Sequence, residues 1–417
     1  MSALLFWAWC TSAVALGQEP ATKARPAPGD AAEDSSVTGK ALPPIAPAAQ
    51  TSAKSAVTAE ERAAFEALEF EPVVYRGATA LSLEPKFVDG IRDGLDLIYK
   101  RDYTGARKQF ETVEASFPNT GVFAVGQTLI WQALMLENFD FKYDKQYEVA
   151  SKAAEAALEA QRAVPGNDAW ERFLLAGVVG IESIHKMRKE QYLPALQRAF
   201  QAMDHIAAAA TAAPDFPDTR LADGMYNYWR TVVTITSKVL PEFGDHRADG
   251  IAHMEYVETN GIFLAAPATL ALAFTWIEEG EYKKALTSSI AAYRQYPDNV
   301  INNLVLGRTY LYLRKNDSAL RTFDEILADA PDNDRAHYYK GMALQRLERL
   351  PDAKAEYERY LQAVYMEPYQ RSAALYRLGT VLEATGDVAG AKLRYDAAFK
   401  VDGNKSAKAA LERMKKG

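Results

Sequence analysis

Two of the chain's five histidines, His246 and His253, are the first place to look for chemistry. They stand seven residues apart, two turns of a helix, with Asp245 and Asp249 close by, so a helix would bring them to one face. Zinc sites usually take histidines about three to five residues apart and a third ligand that closes the geometry. The spacing here fits two polar side chains on a helix surface better than a metal centre, and no metal or other cofactor is expected. Carboxylates are plentiful, as at Glu278-Glu279 and Asp332 to Asp334, but they fall at turns and helix starts, where helix-terminus charge and solvation explain them. No Gly-x-Ser-x-Gly elbow, glycine-rich phosphate loop, His-Glu-x-x-His or dinucleotide fingerprint occurs. The expectation is therefore a protein that is not an enzyme.

The elements that would position any site are helical and periodic. Ala285, Ala319 and Ala353 stand 34 residues apart; Pro297 and Pro331 follow the first two by twelve; Ala273, Gly307 and Gly341 precede the three by twelve. Packing explains these types. A small residue on each helix allows close approach, large residues such as Tyr310, Phe323, Tyr357 and Tyr395 fill the space beside it, and proline stops the second helix. Units begin at Ala266, Val300, Asp334 and Ser372, the last step lengthened to 38 residues by an extra turn around Tyr365 to Tyr369. A last helix from Lys405, apolar along Ala407, Ala410, Leu411 and Met414, closes the array as a polar-backed cap. Upstream, Gly94, Ala106, Phe110 and Pro118 repeat the pattern between Phe87 and Thr120, with Tyr103 in the inter-helix turn. Between 121 and 265 the chain reads as helical without a secure register, and an insertion falls around Asn138 to Lys145. Within Leu221 to Phe263 a helix is expected from Met225 to Leu240, then a Pro241 to Asp245 turn, then a helix from His246 to Glu258. Tyr226, Tyr228 and Trp229 are expected in the core.

This pattern resembles the tetratricopeptide repeat family, in strong form from about Ala266 to Gly403 and in weaker form from about Phe87 to Ala213. The resemblance implies an all-α fold, a superhelical solenoid of helix pairs. It also implies a protein that holds other proteins in its concave groove. In the family, positions 2, 5, 9, 12 and 13 of each unit line that groove. Carried onto this chain, they give Arg308 and Tyr312, then Arg335, Tyr338, Met342 and Arg346, then Tyr376, as the partner-binding residues. Arginines beside tyrosines can fork to a carboxylate while stacking on apolar groups, so an acidic or C-terminal peptide segment is the expected partner. The lysines and asparagines of the chaperone-binding members are missing: Leu304, Val305 and Arg308 stand in their places.

Net charge is −7 over 417 residues, with no basic block, so nucleic acid is not an expected partner. Ala3 to Leu16 is an uncharged apolar run, with Ala15 and Gly17 as small residues ahead of a cleavage point before Gln18. Its length suits a signal peptide and is short for a membrane span, although no Lys or Arg precedes it. The expected divisions are a signal peptide over 1–17, a disordered Ala/Pro-rich tether over 18–57, an irregular repeat-like helical region over 58–265, opening on a capping box from Thr58 to Glu61, and the regular array with its capping helix over 266–417. Removal of 1–17 would take with it Cys10, the single cysteine, and exclude disulfides and thiolate chemistry. The functional expectation is an exported adaptor of the cell envelope or periplasm, touching membrane only through an uncleaved N-terminus if at all. The alternative is a small-molecule or lipid pocket in the 221–263 segment, motivated by aromatic and apolar residues beside a Pro/Gly turn.

Overall fold

The computed structural model describes residues 81–162, 168–236 and 244–415. The expected signal peptide, tether and capping box lie outside the described residues. So do 237–243, which hold the expected end of the helix from Met225 and most of the turn after it.

Seventeen helices and no strand make up the described residues. They run α1 Pro85–Tyr99, α2 Tyr103–Ser116, α3 Val122–Asn138, α4 Asp144–Arg162, α5 Asp168–Arg188 and α6 Tyr192–Ala212. Then follow α7 Thr219–Thr236, α8 Arg247–Asn260, α9 Ala265–Glu278, α10 Tyr282–Gln295, α11 Val300–Tyr312 and α12 Asn316–Asp329. The last are α13 Asp334–Arg346, α14 Leu350–Tyr360, α15 Pro368–Ala384, α16 Val388–Asp402 and α17 Lys405–Met414. Each odd helix packs on the even helix after it, making eight helix pairs, and α17 packs on α16. Odd helices form the inner layer of an α/α superhelix, even helices the outer layer. The register left open between 121 and 265 resolves into three pairs. The helix expected from Met225 starts six residues earlier, at Thr219. Gly224 is where α7 meets α8: a Cβ there would lie 2.7 Å from the Cβ of His253, and one at Gly250 would lie 2.8 Å from the backbone nitrogen of Tyr228.

The small residue and the aromatic within a unit are one device. A Cβ on Gly307 would lie 2.5 Å from the ring of Phe323, on Gly341 2.8 Å from Tyr357, on Gly379 2.7 Å from Tyr395 and on Gly94 2.6 Å from Phe110. The glycine of the inner helix thus makes room for a ring of the outer helix, more than for the alanine facing it. Those four rings are essentially fully buried. The tyrosines carry their hydroxyls to a polar partner twelve residues back: Tyr357 donates to Gln345 Oε1 at 2.8 Å and Tyr395 to Glu383 Oε2 at 2.7 Å. Side-chain caps start several helices, Asp102 accepting from Gly105 N, Asn333 from Ala336 N and Asp387 from Gly390 N.

The superhelix closes on itself after five units. The last carbonyls of a helix have no intrahelical partner, and in the first three units a donor from across the ring supplies one. Asn299 Nδ2 donates to Tyr99 O at 3.0 Å, joining unit one to unit six. Asn333 Nδ2 donates to Glu137 O at 2.7 Å, joining two to seven. The Tyr365 hydroxyl donates to Arg188 O at 3.1 Å, joining three to eight. Asn299 and Asn333 also cap α11 and α13 through their Oδ1 atoms, so each side chain serves two helix ends. Two of the departures from the 34-residue period meet in space at this seam. Phe141, in the insertion after α3, sits edge-on to Tyr365, in the extra turn before α15, with ring centres 4.8 Å apart.

Candidate functional site

Closure of the ring determines what the inner face can offer. Four of the seven groove residues expected from sequence are inside the protein. Arg335 lies with its guanidinium 3.7 Å from the centre of the Phe139 ring, across the seam, and burial lowers its pKa. Phe139 carries Arg188 at 4.1 Å as well, so one ring is held between two arginines. Its φ of 58° is a left-handed conformation that an aromatic residue adopts only when its surroundings hold it there. Arg308 is buried near Phe274 and Tyr339. Tyr338 has no exposed surface, its hydroxyl accepting from Arg377 Nε at 3.0 Å, and Met342 is buried beside it in the same core. All four are buried: Arg308 and Arg335 lie beside Phe139 of the first units, whereas Tyr338 and Met342 are packed within the core of the repeat array itself. With Arg308 and Arg335 inside, an acidic peptide on this face would reach neither guanidinium.

The other three stay accessible. Arg346 is exposed and donates to Leu311 O. Tyr312 is half-buried and stacks on Tyr282, with centres 5.0 Å apart and planes 7° from parallel. Tyr376 is half-buried and lies on the open part of the concave face. There, past the seam, a cleft of about 750 Å³ is lined by Tyr376, Thr380, Glu383 and Tyr395 on one side and by Ser406, Ala409 and Arg413 of α17 on the other. Tyr395 and Arg413 hold the Glu383 carboxyl below its usual range by hydrogen bonds. Thr380 accepts from Gln345 Nε2 at 2.9 Å, which ties the cleft to the preceding unit. The cleft therefore offers one aromatic ring, that of Tyr376, a hydroxyl and a paired acid and base on rigid helices. Ser406, Ala409 and Arg413 were legible only as a cap, because nothing in the sequence of α17 tells which way the space beside it opens.

Among the described residues of the 221–263 segment, the side chains between α7 and α8 are closely packed. Tyr228, Met254 and Val257 are fully buried, and the Tyr228 hydroxyl donates to Glu279 Oε1 at 2.7 Å. The expected pocket within it is corrected to a wall of a larger cavity: Leu221, Ala222 and Met225 face the inner side of the ring. Of the expected core aromatics, Tyr228 and Trp229 are buried and Tyr226 is half-buried. His246 pairs with Asp249 and His253 with Asp223, so the two histidines have separate partners. Among the described residues no group of three or more metal-ligand side chains comes together, and no helix is long and apolar enough to cross a membrane.

The tetratricopeptide repeat model matches residues 304–364 and 340–407. Similar solved structures include the human IFIT1 dimer with PPP-AAAA, at 13% identity over 85% of this chain and 90% of that one, with a TM-score of 0.48. A tetratricopeptide repeat protein from Parabacteroides merdae is 15% identical over 68% of this chain and 97% of that one, TM-score 0.39. MamA from Desulfovibrio magneticus is 15% identical over 37% of this chain and 85% of that one, TM-score 0.33. No curated protein matches the sequence. The glycine–aromatic helix pairs and the matched model agree: residues 304–407 carry tetratricopeptide repeats.

Proposed function

We propose that this protein is a non-enzymatic scaffold that binds a partner protein in the C-terminal cleft of its concave face. Repeats of this family commonly bind proteins. The observation that carries the reading is that the ring closes over the middle of the groove and leaves the last unit and α17 open, with Tyr376, Thr380, Glu383 and Arg413 lining the opening. An extended segment suits that site, because the cleft mixes aromatic, hydroxyl and charged groups able to pair with both a backbone and side chains. The apolar run from Ala3 to Leu16 supports export to the cell envelope as the place where the scaffold works.

The test is partner capture with the full chain and with a Thr380→Arg, Ala409→Arg double variant, which fills the cleft from both sides. Thr380 is half-buried in the wall and Ala409 exposed across from it, so the long side chains can extend into open space. Quantitative mass spectrometry should show a set of captured proteins lost with the variant, while its melting temperature stays within a few degrees of wild type. An identical capture profile would remove the cleft from the reading.

A further inference from the structure

The inner side of the ring formed by the first five units is not filled. Two adjoining lobes of about 230 and 320 Å³ share Leu95, Leu129, Ile181, Leu221, Met225 and Leu264, so they lie side by side as the two halves of one chamber region. The inner helices α1, α3, α5, α7 and α9 supply its wall. In a water-filled superhelix the inner positions should be polar, since half-exposed apolar side chains are costly in proportion to the surface left wet. Here most are leucine, isoleucine and methionine, with Gln132, Glu137, Asn299 and Asn302 as polar exceptions in the larger lobe. Gly177, in the middle of α5, faces this space directly: a Cβ added there would meet no atom within 4 Å. It stands apart from the glycines of the helix pairs, which face rings.

Two side chains in the wall have polar atoms without a hydrogen-bond partner, the Trp170 Nε1 in the smaller lobe and, with both its donor and its acceptor unmet, Gln132 in the larger. Gln132 on α3 lines the larger lobe, is 4% exposed, and neither its Nε2 nor its Oε1 makes a hydrogen bond. A buried amide with neither group paired is costly, because both its donor and its acceptor have given up water. A water could pair with it, but a water needs further polar partners of its own, and this wall is mostly apolar.

We propose that the chamber binds a single-chain lipid, with the hydrocarbon along the apolar wall and an uncharged head that both gives and takes a hydrogen bond at Gln132. The volumes fit the lower part of the range for small-molecule sites, roughly 300–1,000 Å³. They are too small for a partner helix, about 10 Å across with its side chains. An extended peptide would lose the hydrogen bonds of its backbone to water and find few replacements on such a wall. A hydrocarbon chain has no such groups to satisfy. The unmet donor and acceptor of one amide match a hydroxyl or a protonated carboxyl, each of which can act in both senses. This site is separate from the C-terminal cleft, and neither reading depends on the other.

The experiment uses the full chain and displacement of N-phenyl-1-naphthylamine fluorescence by oleyl alcohol and by 1-octadecene. Wild type should take up one oleyl alcohol per chain. Gly177→Phe, which fills the chamber from its one open helix position, should weaken that binding at least tenfold without loss of helical signal by circular dichroism. Gly177→Leu, a smaller plug, should weaken it to a lesser extent and guards against a folding defect in the first variant. Gln132→Leu should reduce affinity for oleyl alcohol about tenfold and leave 1-octadecene unchanged. Failure of wild type to bind either compound would overturn the proposal. So would Gly177 variants that bind as wild type does, and a Gln132→Leu effect equal for both compounds would remove the head-group assignment.

Discussion

Asn333 allows the contribution of ring closure to be separated from that of helix capping. Its Oδ1 accepts from Ala336 N at 2.9 Å and caps α13; its Nδ2 donates to Glu137 O at 2.7 Å and closes the seam. Asn333→Ala removes both. The cap is worth about 1 kcal/mol, and a carbonyl in the last turn of α3 left without a partner costs roughly a further 1–2 kcal/mol, so the loss should be about 2–3 kcal/mol. Asn333→Asp keeps an acceptor at the cap, where a negative charge is favoured by about 0.3–1 kcal/mol, but it has no donor for Glu137 and turns a carboxylate toward a carbonyl. Its net loss should be about 1 kcal/mol, all of it from the seam. Urea unfolding followed by circular dichroism gives the two stabilities. Amide exchange then locates the change, which for the aspartate variant should appear as faster exchange at the end of α3 with α13 still protected. If Asn333→Asp matches wild type and Asn333→Ala loses only the cap, the seam contributes nothing and ring closure has another cause.

Two further outcomes follow from the same geometry. Gly94→Ala should destabilise by about 1–3 kcal/mol, because its methyl would meet the buried Phe110 ring, whereas Gly177→Ala should stabilise by about 1 kcal/mol, since it adds a good helix former in open space; thermal melts of the pair should move in opposite directions. Burial lowers the pKa of His185 from its ordinary value to about 4, despite its contact with Asp144. The folded state therefore favours the neutral ring, and stability should be fully present above about pH 6.5 and fall as pH drops from there through about 4. A His185→Gln variant followed over that window in urea should show a shallower slope; an unchanged slope would assign the pH dependence to other groups.

The repeat itself was legible in sequence because its cause is local. Gly307 and Phe323, or Gly341 and Tyr357, lie sixteen residues apart and meet within one helix pair, so a fixed spacing records a contact between neighbours in the chain. The groove was not legible in the same way. Positions 2, 5, 9, 12 and 13 identify a face of each unit, but not which of its side chains remain exposed. They could not say that Phe139, nearly two hundred residues earlier, would lie on Arg335. Gln132 gave no signal, since one glutamine in an apolar helix looks like many others until its surroundings are known.

The sequence by itself determined the helix pairs of the first unit and of the regular array from Ala266, and the small-to-large packing within each, because these depend on residues near one another along the chain; the three pairs between 121 and 265 it left without a register. Only the tertiary structure decided that five units complete a turn, so that Asn299, Asn333 and Tyr365 reach the ends of α1, α3 and α5. The physical reason is that the curvature of a solenoid is the sum of small rotations between neighbours. No single spacing encodes that sum, yet it decides which part of the inner face is sealed, which part holds a chamber, and which part stays open to a partner.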